Sequence, residues 1–104
     1  MRMRIMIRRK TPKAKIVLPE KLDASQLTQL FEQVSALRGK PLVLDAGSLR
    51  YVGAQGIQIL LSAAKTWKRD GVALRLTSAT EEFREIVSVL GIDSSDLATE
   101  EISP

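Results

Sequence analysis

The sequence contains no cysteine and no histidine. The first absence excludes a disulfide framework, a thiol nucleophile and a thiolate metal site. The second removes the commonest general base and metal ligand. Carboxylates remain, but nothing supplies a nucleophile paired with a base, so the expectation is a protein without catalysis, cofactor or metal. Aromatic residues are scarce, with one Trp, one Tyr and two Phe. No apolar run approaches the roughly 18 residues of a membrane-crossing helix, and residues 1–8 (MRMRIMIR) lack the unbroken apolar segment of a secretory signal. A cytoplasmic location is therefore expected. Neither G-x-x-x-x-G-K-[ST] nor G-x-G-x-x-G occurs, so there is no phosphate loop and no dinucleotide fingerprint.

What is present suits one domain over residues 1–104, of which 44% are hydrophobic, enough for one core and too few residues for two. The net charge of +4 is unevenly spread. Residues 1–21 hold Arg2, Arg4, Arg8, Arg9, Lys10, Lys13, Lys15 and Lys21 against Glu20 alone, whereas residues 81–104 are acidic apart from Arg84. A basic segment can bind nucleic acid, but no aromatic interleaving, helix-turn-helix or RNA-binding signature accompanies it. A solvated edge strand protected by charge is the plainer reading, and no nucleic-acid partner is expected.

Along the chain, Met3, Ile5 and Ile7 alternate with Arg2, Arg4, Met6 and Arg8, the period of a strand with one apolar face. A turn broken by Pro12 leads to a second strand over residues 14–18, ended by Pro19. Asp23 and Gln26 have the spacing of a capping box. The helix they open carries Leu27, Leu30, Phe31, Val34 and Leu37 on a core face, with Gly39 placed as a left-handed stop. Ser78 and Glu81 repeat the capping spacing, and Phe83, Ile86, Val87 and Leu90 repeat the stripe before Gly91. Residues 94–104 read as a short helix or a frayed tail.

The chain is organised around residues 41–61. Leu42, Val43 and Leu44 form the continuous apolar run of a parallel strand covered on both faces, closed by Asp45. Ile57, Leu60, Leu61 and Ala64 then share one face of a helix running from about residue 54 to 69. Gly53 and Gly56 mark its beginning in a tight strand-to-helix turn. Asp70 and Gly71 turn the chain into a strand over residues 72–76, which completes a βαβ unit. Trp67, near the end of the crossover helix, reads as a packing residue. A helix that starts just beyond the carboxyl end of a parallel strand presents unpaired N–H groups where open α/β sheets usually carry function.

The pattern Leu42-Val43-Leu44-Asp45, then Tyr51-Val52 and Gly53-Ala54-Gln55-Gly56-Ile57, resembles the STAS domain of bacterial anti-anti-sigma factors and sulfate transporters. The resemblance runs on through residues 70–76 and Phe83 to Ile92. It implies a single α/β domain with a mixed four- or five-stranded sheet and three to four helices packed largely on one side. In switching members the loop before the helix reads Asp-Ser-Ser-Gly or Asp-Ser-Thr-Gly, and a kinase phosphorylates the first hydroxyl residue. Here Ala54 stands at that position without a hydroxyl, and Gly53 lacks the acidic neighbour. The resemblance thus implies an interaction domain whose usual phosphosite is lost. Its partner would be a histidine-kinase-like ATPase, a chemotaxis protein or, alternatively, the ATPase of an ABC lipid transporter. Residues 53–64 with Trp67 are similar to small STAS proteins encoded beside bacterial chemotaxis genes.

The expected partner-binding residues are Ser48, Tyr51, Gly53, Ala54, Gln55 and Gln58. Each has a plainer alternative: Tyr51 and Val52 fill the core, Ser48 is a turn residue, and Gln58 is simply solvated. Asp45 reads as a loop-capping carboxylate in preference to a phosphoacceptor. A response-regulator receiver would need an acidic metal-binding pair after the first strand, and Arg8, Arg9 and Lys10 stand there instead.

Overall fold

Proline and glycine punctuate a chain of short strands and amphipathic helices. The computed structural model describes residues 14–99. In chain order these form β1 (Ala14–Val17), β2 (Lys21–Leu22), α1 (Ala24–Ala36), β3 (Leu42–Asp45), β4 (Tyr51–Val52), α2 (Ala54–Asp70), β5 (Leu74–Thr77), α3 (Glu81–Val89) and a 3-10 turn (Ser94–Leu97). The strand expected over residues 2–8 and the tail beyond Thr99 lie outside the described residues. So does any antiparallel member of a mixed sheet, since every pairing described is parallel.

The main sheet has the order β1-β3-β5. Ile16, Leu44 and Leu76 stand in one row and Leu42 beside Leu74 in the next, and all five are buried. The opposite face carries the rows Lys15, Val43, Arg75 and Val17, Asp45, Thr77, which are half-buried or exposed. The apolar run in β3 therefore does not mean equal cover on both faces. Leu42 and Leu44 point into the core, and Val43 is half-buried on the other face.

Two strands of two residues each went unread in the sequence. Lys21 pairs with Tyr51 and Leu22 with Val52 in a separate parallel ladder, too short for any alternating pattern to declare itself. Leu22 and Val52 face inward while Lys21 and Tyr51 are exposed. Burial of a Leu or Val side chain contributes about 1.5–3 kcal/mol, so even this small ladder is held by its inward pair.

The capping box of α1 is present: Asp23 Oδ1 accepts from the Ser25 N–H at 3.2 Å, and the Gln26 side chain accepts from the Asp23 N–H at 3.4 Å. Leu30 and Val34 are buried, but Phe31 is 60% exposed. One residue of helix is a rotation of about 100°, which carries Phe31 off the core stripe toward α2. On α2 the predicted residues Ile57, Leu60 and Ala64 are buried and Leu61 is half-buried. Trp67 is buried as a packing residue, its Nε1–H donating to the Lys40 carbonyl at 2.8 Å. Gly71, at φ +70°, ends the helix in the left-handed region, a conformation that glycine adopts without strain.

The cap of α3 falls two residues later than the spacing predicts. Ser78 has φ +59° and turns the chain, and Thr80 becomes the cap, accepting from the Phe83 N–H at 3.1 Å. Leu90 lies past the end of this shorter helix and is exposed rather than core. The 3-10 turn packs on α2, and Thr99 pairs with Leu74 along the edge of β5, its N–H donating to the Leu74 carbonyl at 2.9 Å.

Candidate functional site

The candidate surface begins where β3 ends. Asp45 Oδ1 accepts from the Gly47 N–H at 2.9 Å, and Asp45 Oδ2 lies 3.7 Å from Lys15 Nζ. The carboxylate thus caps the loop that follows it, as its place at the strand end suggests. The next residues are tied from three sides. The Ala46 N–H donates to the Thr77 carbonyl at 2.8 Å, and the N–H groups of Arg50 and Tyr51 both donate to the Glu20 carbonyl at 2.9 and 3.1 Å. The Thr80 hydroxyl donates to the Leu49 carbonyl. Arg50 Nη1 reaches Glu82 Oε2 at 3.1 Å. Ala46 and Leu49 are buried beneath this loop, and Gly47 and Ser48 stand outside it.

From there the chain passes through β4 directly into α2, with a single residue, Gly53, between them. Gly53 is the cap of α2, with φ −87° and no side-chain hydrogen bond to the first turn, which contains no acidic residue. These dihedrals are open to any residue, so the turn does not require glycine here. Gly56 is different. A Cβ on Gly56 would lie 2.5 Å from Val52 Cγ2 and 3.4 Å from Leu22 Cβ, so its role is close approach of α2 to the β2–β4 ladder and not backbone freedom.

Tyr51, Ala54, Gln55 and Gln58 are exposed, and Gly53 is half-buried between them. Tyr51 is 53% exposed, and its hydroxyl would meet a Cβ on Gly53 at 3.5 Å, so it hangs beside the start of the helix. Of the two readings of the Tyr51-Val52 pair, core filling holds for Val52 alone. Ala54 and Gln58 are four residues apart and share a face. Ser48 is exposed, but no hydrogen bond joins it to α2 among the described residues. Its neighbour Gly47 is placed against Ser78, at the exit of β5.

Electrostatically the start of α2 is bare. The shifted carboxyls lie elsewhere: Asp70, at the far end of α2, is held below the usual carboxylate range chiefly by hydrogen bonds from Arg38 at 2.9 and 3.3 Å. Asp93 is lowered by the Ser95 N–H it accepts, at 3.0 Å. No group of three or more metal-ligating side chains that could hold an ion occurs among the described residues. No helix there is long and apolar enough to cross a membrane.

A protein-family model described as "Mlab, STAS domain" matches residues 5–99. The chain belongs to the STAS domain family. No curated protein matches it. The parallel β3-α2-β5 unit and the three helices are those of a STAS fold, and STAS domains are interaction modules that generally work through protein partners. In this STAS domain β4 leads through Gly53 into the first turn of α2, where Tyr51, Ala54 and Gln55 are exposed.

A second feature of the STAS domain went unread in its sequence. An open groove of about 390 Å3 runs between α1 and α2, with Phe31, Val34, Ile59, Ala63 and Trp67 among its walls. Its signal was present as a poverty of charge. α1 has one charged residue, Glu32, and α2 has none before Lys65, in a chain that is 27% charged.

Proposed function

We propose that this STAS domain is a non-catalytic signalling module that binds its partner through the start of α2 and cannot be switched off there by phosphorylation. The observation that carries the reading is the exposed Ala54 at the first position of α2, next to a cap that has neither hydroxyl nor carboxylate. In phosphorylated relatives of the kind the sequence resembles, a phosphoserine at this point would be held by first-turn N–H groups and would change the charge met by a partner. With alanine the helix start stays uncharged, equivalent to the unphosphorylated, binding-competent form. Tyr51, Gly53, Gln55 and Gln58 supply the rest of the contact, and Ser48 lies at its rim. Bacterial chemotaxis or partner switching is the setting proposed for it.

The test is affinity capture from native lysate with the natural chain and Ala54→Glu as paired baits. A carboxylate in the first turn of a helix is electrostatically favourable, so the variant folds and only its surface differs. A histidine-kinase-like ATPase or chemotaxis protein retained by the natural chain and lost by the variant supports the reading. An ABC ATPase retained in the same way would move the function to lipid transport. Binding indifferent to Ala54→Glu, or kinase-dependent phosphate on Ser48, would refute the locked contact.

A further inference from the structure

We draw no further inference here: the strongest candidate, the open apolar groove between α1 and α2 with Phe31, Val34, Ile59, Ala63 and Trp67 among its walls, carries none because nothing in the structure shows what covers it.

Discussion

Gly56→Ala is the sharpest test of how α2 is seated. The added methyl would stand 2.5 Å from Val52 Cγ2 and 3.4 Å from Leu22 Cβ, well inside van der Waals contact with the first. Both neighbours are buried in the core, so the strain cannot escape into solvent. Overpacking of this kind costs about 1–3 kcal/mol, and replacing a helical glycine by alanine returns at most about 1 kcal/mol. The net expectation is a loss of about 1–2 kcal/mol, read as a lower urea midpoint with unchanged m value. For a domain of this size each kcal/mol lowers Tm by about 4–8 °C. Gly53→Ala is the control: its Cβ meets only the Tyr51 hydroxyl at 3.5 Å, so the change should cost less than about 1 kcal/mol. Val52→Ala combined with Gly56→Ala removes the clashing methyl, so the double variant should lose less than the sum of the two single losses by about 1 kcal/mol or more. A Gly56→Ala protein as stable as the natural chain, or a strictly additive cycle, would refute the close-approach argument.

Thr80→Val removes both the cap of α3 and the hydroxyl that donates to the Leu49 carbonyl. A loss of about 1–3 kcal/mol is expected, with faster amide exchange at residues 46–50 than in the rest of the sheet. Trp67→Phe leaves the Lys40 carbonyl without its 2.8 Å donor and should cost about 1–3 kcal/mol in urea unfolding. The Asp70 carboxyl is lowered when folded, chiefly by the Arg38 hydrogen bond, so its contribution to stability is present above the ordinary carboxylate pKa and disappears as pH falls through the lowered one. Arg38→Met should therefore separate from the natural chain in urea midpoint near neutral pH and rejoin it in strong acid; a gap independent of pH would exclude the linkage.

The elements legible in the sequence were those whose signals are local. Asp23 and Gln26 mark α1 because a capping box is complete within four residues, and the stripe on α2 is visible because 17 residues repeat it several times. The misreadings arose where a long-range contact overrides a local one. Ser78 has the right chemistry for a cap, but its backbone is used to turn the chain, and Thr80 serves because its hydroxyl also reaches Leu49. β2 and β4 exist only through each other and through Glu20, which accepts from both Arg50 and Tyr51. Phe31 looked like core because it stands four residues after Leu27 and three before Val34, and only the position of α2 shows that it borders a groove. At the candidate site the exposed residues at the start of α2 were legible from one strand-to-helix junction. The relation of Ser48 to them was not, because residues 46–50 are placed by Glu20, Thr77 and Thr80.

The same ties bear on what a different side chain at residue 54 would change. A loop that depended on a phosphate or on a side-chain cap for its shape would lose that shape with Gly53 and Ala54 in place. Here the approach to α2 is fixed without them: Asp45 caps the loop through the Gly47 N–H, Glu20 and Thr80 hold its far end, and the close contact of Gly56 with Val52 seats the first turn. Gly53 makes no side-chain contribution to the helix end and needs no special backbone conformation. The geometry of the helix start is thus separable from its charge. Adding a carboxylate or hydroxyl at residues 53 and 54 would alter the electrostatics offered to a partner and leave the framework in place, which is why Ala54→Glu reads recognition and not folding.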